Sequence, residues 1–243
     1  MRIRLQGLLR LFLVSACAAV TYSAHAQDTN AYLYIAHAAP GRSISSTTNP
    51  EYPVDISIGG HCVAQGVSFA EIRGPFTQPA GSYTVNVTVA DSTNPCGGPS
   101  SFSAGVALAA GSTSLGIIEV NSAQQVTGQI VPVNLGAVSA ARARAIVVNT
   151  TTSSLTGVIY QGDGTLSPLS ADVPAGTVSQ INVVTGLWNL NFYPLGMSET
   201  SPAVEGPTEF EVVSRSVYLM VLIGSTANDT LQLVGPREIK GVF

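Results

Sequence analysis

The chain has 243 residues, of which 10% are charged and 45% are hydrophobic, and its formal net charge is −4. Such a chain can bury a core, which argues against disorder, and its 24 glycines follow no triplet period, which argues against collagen. An acidic chain with few basic residues is also a poor nucleic-acid binder.

The first 26 residues have the organisation of a cleaved export signal. Three arginines precede a mostly apolar stretch over 11–20, and Ala24-His25-Ala26 supplies the small-x-small pattern that signal peptidase requires. Cleavage leaves 243 − 26 = 217 residues, with 10 − 3 = 7 basic groups against 14 acidic ones, a net charge of −7. An alternative is a lipoprotein anchored at Cys17, although the apolar run continues past that residue. We expect an exported protein, periplasmic or extracellular.

The apolar part of the signal is too short to span a bilayer. No later segment offers about 18 consecutive apolar residues without charge. The sequence therefore predicts no transmembrane segment in the mature protein.

Short segments with a period of two recur along the mature chain. In 82–90, tyrosine and valine alternate with threonine and asparagine, as a half-buried antiparallel strand requires. Further candidate strands, rich in β-branched and aromatic residues, are 32–38, 54–58, 145–149, 155–161, 178–184, 188–193 and 231–234. The segment 217–223 is apolar on both faces, which is typical of a fully buried strand. Because no window of twelve residues has a helical period, the sequence predicts an all-β protein.

Two cysteines, Cys62 and Cys96, remain after removal of the signal. An oxidising compartment favours a disulfide between them, and the absence of a C-x-x-C spacing disfavours a redox or metal pair.

The two halves of the mature chain follow the same order of segments. Each has a strand, a hairpin, a Pro-Ala-Gly segment (79–81 and 174–176), a further strand, a polar loop and an apolar stretch. Each unit has about 100 residues, the size of one sandwich domain. We expect a signal over 1–26, a first β-sandwich with the disulfide over 27–138, and a second β-sandwich over 139–243.

Three motifs of the first half carry a resemblance to a known family. They are the strand ending Ile35-Ala-His-Ala-Ala-Pro40, the hairpin Pro53-Val-Asp-Ile-Ser-Ile-Gly59 and the turn Gln78-Pro-Ala-Gly-Ser-Tyr-Thr-Val85. In these the chain resembles the domain-of-unknown-function family 4397 (DUF4397), whose members are exported and often tandem. In the second half Asn149 stands where the histidine would be. The resemblance implies immunoglobulin-like antiparallel β-sandwiches and a surface role, and it implies no chemistry.

The mature sequence offers little for catalysis. His37 shares an apolar strand face, which favours a structural, hydrogen-bonded histidine over a general base. Asp55 lies on a polar face, where either a hairpin-positioning role or a solvent-exposed side chain is expected. Asp163 and Asp172 lack the dense spacing of a calcium loop. We therefore expect no catalytic residue, no metal and no cofactor. A secreted hydrolase would require His37 or two carboxylates to converge in a cleft.

Aromatic residues suggest where a ligand or partner could bind. Trp188 shares one strand face with Leu190 and Phe192, which indicates core, whereas Tyr193 lies on the other face with Asn189 and Asn191. Such a face, or Tyr52 in a long loop, would suit a polysaccharide if the rings were exposed. Tyr32 and Tyr34 are candidates for a partner surface.

These patterns together favour a non-catalytic, exported structural or interaction module of the cell envelope or extracellular space. Its partners would be copies of itself or other envelope and matrix proteins, joined by contacts between strand edges. A carbohydrate-binding or adhesion module is the alternative, and the secreted hydrolase is a lesser one.

Overall fold

A computed structural model describes residues 29–121, 123–161, 169–197, 201–224 and 231–240. The export signal with Cys17 lies outside them, as do Asp163 and its glycine neighbours. The strands of the first half are β1 (Asn30–His37), β2 (Val54–Ile58), β3 (His61–Val67), β4 (Ile72–Pro79), β5 (Gly81–Val89), β6 (Ser100–Leu108), β7 (Thr113–Val120) and β8 (Val126–Pro132), and a one-turn helix, α1 (Gly41–Ile44), follows β1. The strands of the second half are β9 (Arg142–Asn149), β10 (Leu155–Gln161), β11 (Leu169–Val173), β12 (Val178–Val184), β13 (Gly186–Pro194), β14 (Glu205–Val212), β15 (Ser216–Ile223) and β16 (Gln232–Lys240).

The strands form four sheets of four strands, two in each half of the chain. The sheet orders are β4-β1-β7-β8 and β3-β2-β5-β6 in the first half, and β12-β9-β15-β16 and β11-β10-β13-β14 in the second. The pairs β1–β7 and β9–β15 are parallel, while the other described pairs are antiparallel. Apolar clusters between the sheets of each half make two sandwiches. The prediction of an all-β protein with two tandem β-sandwiches is confirmed.

The two sandwiches have the same topology, so each strand of β1 to β8 has a counterpart in β9 to β16. The hydrogen bonds fix the register of this correspondence. The backbone amide of Ala38 donates to the carbonyl oxygen of Ile118 at 2.7 Å, and the amide of Thr150 donates to that of Leu222 at 3.0 Å. Ile118 and Leu222 therefore occupy equivalent positions, as do His37 and Asn149 at the ends of β1 and β9.

The Pro-Ala-Gly segments do not correspond, contrary to the expectation from the sequence. Pro79-Ala80-Gly81 lies where β4 passes into β5, whereas Pro174-Ala175-Gly176 connects β11 to β12, one connection earlier in the repeat. A match of three residues is short enough to recur at any surface turn. The repeat is a property of the topology and not of this motif.

The sandwiches pack against each other face to face, so the four sheets form one stack of layers. The facing sheets are β4-β1-β7-β8 and β12-β9-β15-β16, and one apolar cluster contains side chains of both. Its largest members include Tyr34, Leu115, Ile117, Ile146, Val217, Leu219 and Val221. All eight residues of β15 are buried, which confirms that 217–223 is buried on both faces.

Tyr34, a candidate for a partner surface from the sequence, is buried instead. Its ring belongs to the cluster between the sandwiches and is 2% exposed, so it does not present a surface to a partner. The alternation in β1 correctly separates two faces. The second face is covered by the other half of the chain, which a local pattern does not reveal.

Residues 133–141 connect the two sandwiches, and both sandwiches contact the first part of this connection, 133–136. Val133 and Leu135 are buried in the cluster between the sandwiches. The Nη1 atom of Arg144, on β9, donates to the carbonyl oxygens of Asn134 at 3.0 Å and Gly136 at 3.1 Å. The connection is thus held by the second sandwich as well as by the first.

Glu119, near the end of β7, lies where the two sandwiches meet. Burial raises the pKa of its carboxyl group above the ordinary value, and a hydrogen bond with the Thr150 side chain lowers it by less. The Thr150 hydroxyl also donates to the carbonyl oxygen of Leu222 at 2.8 Å. Because a hydroxyl carries one proton, a protonated Glu119 can satisfy both bonds at once.

We expect Glu119→Gln to raise the free energy of unfolding slightly at about pH 7.5, by no more than about 0.5 kcal/mol, because the carboxyl group is only partly buried and solvent screens its charge. A carboxyl group with a raised folded-state pKa contributes stability while it is protonated, and this contribution is lost as the pH rises through the folded pKa. Urea unfolding between about pH 4.5 and 8 measures the effect, which should flatten in the variant. Glu209→Gln, at an exposed position of β14, is the matched control. Destabilisation of Glu119→Gln at the upper pH would contradict the assignment.

Candidate functional site

His37 ends β1 and is fully buried. The amide of Ala39 donates to Nδ1 at 3.3 Å, so Nδ1 is an acceptor and Nε2 carries the proton, which it donates to the carbonyl oxygen of Tyr52 at 2.8 Å. Burial lowers the pKa of His37, which favours this neutral form, although the bond to Tyr52 and nearby glutamates raise it. The prediction of a structural, hydrogen-bonded histidine is confirmed.

Asn149, at the equivalent position of β9, also forms hydrogen bonds to backbone groups, with a shorter side chain. Its Nδ2 donates to the carbonyl oxygens of Ser153 at 2.9 Å and Val173 at 2.8 Å, and its Oδ1 accepts from the amide of Thr151 at 2.9 Å. The loop after β9 spans five residues, 150–154, against sixteen, 38–53, after β1. Each side chain holds the loop that follows its strand. The longer histidine precedes the longer loop, and the shorter asparagine precedes the shorter one.

Asp55, in β2, is 2% exposed and accepts three backbone hydrogen bonds. The donors are the amides of Gly66 to Oδ1 at 2.9 Å, and of Cys96 at 3.0 Å and Asp91 at 3.3 Å to Oδ2. The carboxylate thus ties the β2–β3 hairpin to the loop between β5 and β6. A positioning role was predicted, but for a hairpin alone, and the solvent role also considered is wrong because the loop covers the side chain.

Cys62 and Cys96 form the predicted disulfide, with Cα atoms 5.7 Å apart. It joins the start of β3 to the same loop that Asp55 holds. The covalent and the hydrogen-bonded attachments therefore meet at one place on the outer sheet of the first sandwich.

Tyr52 does not offer an exposed ring. It is 8% exposed and belongs to the core of the first sandwich, and its hydroxyl donates to Oγ of Ser101 at 3.1 Å. The long loop after β1 folds back onto the sandwich and carries the ring inwards. The exposed platform that polysaccharide binding would need is therefore not present at Tyr52.

Tyr193 lies on the outward face of β13, as predicted, but is 4% exposed. Asn191, beside it, is 6% exposed, and its Nδ2 donates to the Tyr160 hydroxyl at 3.1 Å. Asn189 is half-buried and pairs across the sheet with Tyr160. Tyr193 therefore lacks the exposed ring that the carbohydrate-binding alternative requires, and binding at this face stays a prediction. Trp188, Leu190 and Phe192 are core residues, as predicted.

Metal sites and membrane-spanning helices are two further features to consider in the part of the chain that the structure describes. Over the described ranges, no three His, Cys, Asp or Glu side chains come together as a metal site would require. In the same ranges, none of the helical structure has the length and apolarity to traverse a bilayer.

Strand edges differ systematically between the two sides of the stack. The edge strands β3, β4, β16 and β14 contact one another in that order, and we name them the interrupted edges. Gly-Pro pairs lie within three of them, at 74–75, 206–207 and 235–236, opposite a register shift in the neighbouring strand. The pairing of β3 is shifted twice, once around Gly66 and once at Val63. Proline lacks an amide donor and bulges twist an edge away, so both disfavour the addition of another strand.

The other edge of each sheet faces away from the interrupted edges. These are β6, β8, β12 and β11, which we name the open edges; β6 contacts β8, and β11 contacts β12. The pairings of β8, β11 and β12 run without a shift over the residues described, and the shift in β6 is at its last pair. Proline occurs in them only as the final residue of β8.

Charge follows the same division. The open edges contain one charged residue, Asp172, whereas the interrupted edges contain seven. The seven are Arg73, Glu205, Glu209, Glu211, Arg237, Glu238 and Lys240. Charged side chains along an edge oppose strand addition. The charges and the interruptions by proline and register shifts therefore protect the same side of the molecule.

Comparison with known proteins gives little further guidance. No family model matches the chain, so the resemblance to family 4397 stays a prediction, and no curated protein matches it either. A solved structure of the Bacillus anthracis TIE protein is similar over 79% of this chain, with 11% sequence identity and a TM-score of 0.25. The present chain spans 33% of that chain's length. A likeness this weak carries no argument about function.

The division of the edges is the feature that the sequence analysis missed. The three Gly-Pro pairs, each inside a short β-pattern, were a usable signal, because proline within a strand indicates an edge. Which edges share a side depends on the packing of the four sheets, and no local pattern contains that information.

Proposed function

We propose that this protein is an exported, non-catalytic structural and interaction module of the cell envelope or extracellular space. It associates with copies of itself, or with other envelope or matrix proteins, through its open edges. The observation that carries the proposal is the division of the edges, since four uncharged or nearly uncharged edges are left unprotected while the opposite four are guarded. An edge strand without charge, proline or bulge is a template for pairing.

Two further observations support the proposal. His37, which a hydrolase could have used as a base, is engaged with the backbone of Tyr52, and Asp55 is likewise engaged with backbone amides that hold a loop. The export signal in the sequence and the Cys62–Cys96 disulfide fit an oxidising compartment outside the cytoplasm.

The test is the state of association of residues 27–243, purified from an oxidising compartment. Light scattering after size exclusion, over a range of concentrations, and negative-stain imaging should show oligomers or fibres. The double variant Ser103→Lys and Gln180→Lys places a charge at exposed positions of β6 and β12. It should weaken association at least about tenfold, because like charges facing across a strand pair repel.

Thr77→Lys is the matched control for the added charge. Thr77 is exposed on β4, an interrupted edge, so the variant should associate like the wild type. A strictly monomeric wild type at all concentrations would refute the proposal. Equal weakening by Thr77→Lys would refute the assignment of association to the open edges.

A further inference from the structure

An apolar cavity of about 160 Å³ lies between the two sheets of the first sandwich. Its walls are the aliphatic side chains of Leu33, Ile35, Val85, Val87 and Ile118 and the backbone of Gly116. Residues of β6 and β8, among them Phe102, Ala104 and Ile130, surround its mouth. The cavity is therefore inside the core and is reached between two edge strands.

The internal repeat explains why this space is empty in the first sandwich. Ile118 is equivalent to Leu222, so Gly116, two residues earlier in β7, is equivalent to Met220 in β15. Met220 is fully buried in the core of the second sandwich. The first sandwich thus lacks a large side chain at the position where the second has one.

Neighbouring positions differ in the same direction. Val54 pairs with Val89 and Leu155 with Pro194, which makes Val85 equivalent to Leu190 and Val87 equivalent to Phe192. Leu190 and Phe192 are 1% and 0% exposed. At these three positions the first sandwich has the smaller residue, whereas at a fourth it has the larger one, since Ile56 pairs with Val87 and Gly157 pairs with Phe192.

The backbone at Gly116 does not itself require glycine. Its φ is not in the left-handed region, and a Cβ atom there would meet Ile35 Cγ1 at 3.6 Å and Leu33 Cδ1 at 3.9 Å, which are ordinary contacts. A side chain at this position would point between the sheets. The space is thus compatible with apolar atoms, whether they belong to the chain or to a ligand.

We propose that the first sandwich binds one small, uncharged, apolar molecule in this cavity, an aromatic ring or a short hydrocarbon of about the size of benzene. The ligand occupies the space that Met220 and its larger neighbours fill in the second sandwich. In another protein, a cavity of about 150 Å³ lined by leucine, isoleucine and phenylalanine stays dry and binds benzene. The mouth of the cavity lies between β6 and β8, two of the open edges, but the inference rests on the cavity itself and not on the proposed association.

Benzene itself is the probe for the test, used with the mature protein. In the wild type, near-saturating benzene should raise Tm by a few degrees, because a ligand that binds the folded state alone stabilises it. Amide NMR shifts should change around the cavity and saturate with benzene concentration. Gly116→Leu should have a higher Tm without ligand and at least tenfold weaker binding.

Ala107→Leu is the matched control. Ala107 is exposed on β6 between the buried Val106 and Leu108, and it does not line the cavity, so the added atoms lie outside the site and binding should persist. If Gly116→Leu does not fold, Ala104→Leu at the mouth takes its place, with the same expected loss. The proposal would be overturned if benzene changed neither the Tm nor the amide NMR shifts of the wild type. Undiminished binding in the filled variant would do so as well, since the site would then lie elsewhere.

Discussion

Replacement of both Cys62 and Cys96 by serine is expected to lower the free energy of unfolding by about 4 kcal/mol. The disulfide closes a loop with a sequence separation of 34. Without it, the unfolded chain regains the conformational entropy of that loop, while the folded state loses one attachment of the β5–β6 loop. Urea unfolding of the variant against the oxidised wild type measures the difference.

The reduced wild type is the natural control for this prediction. Wild-type protein in dithiothreitol should unfold like the double serine variant, because the second sandwich contains no cysteine. A loss below about 1 kcal/mol would indicate that the unfolded chain is compact enough for the cross-link to matter little.

Asp55→Ala is expected to lower the free energy of unfolding by about 3 kcal/mol or more. The substitution removes the acceptor of three backbone amides, those of Gly66, Asp91 and Cys96. Hydrogen bonds to a charged group are stronger than average, and amides left without an acceptor under a loop lose their interaction with water as well. Equilibrium unfolding gives the effect.

Two variants keep the Asp55 prediction specific. Asp172→Ala removes an exposed aspartate from β11 and should change stability by less than about 0.5 kcal/mol. Asp55→Ala in the background without the disulfide should cost less than in the wild type, since both attachments hold the loop that contains Cys96. Full additivity would show that the carboxylate and the disulfide stabilise separate parts of the sandwich.

The class of the fold could be predicted because it depends on local patterns. The alternation over 82–90 corresponds to β5, the uninterrupted apolar run over 217–223 lies in the buried strand β15, and the face shared by Trp188, Leu190 and Phe192 is core. In each case a period of two, or its absence, reports directly on how many faces of a strand are buried.

The parts that could not be predicted depend on contacts between distant residues. Tyr34 and Tyr193 lie on the faces that were expected, but other parts of the molecule cover them. The donors to Asp55 are 11, 36 and 41 residues away along the chain. A side chain's face follows from its neighbours in sequence, whereas its exposure depends on the whole packing.

The face-to-face packing of the sandwiches limits how the structure can grow. Each sandwich has one apolar outer face, and these two faces are buried against each other in the middle of the stack. Leu115 and Ile117 contribute to this contact from the first sandwich, and Leu219 and Val221 from the second. The two remaining outer faces carry polar groups that are exposed or half-buried, such as Thr84, Asn86 and Asn189. Addition of a fifth layer face to face is therefore disfavoured, and an assembly of the proposed kind would extend sideways, as a ribbon does.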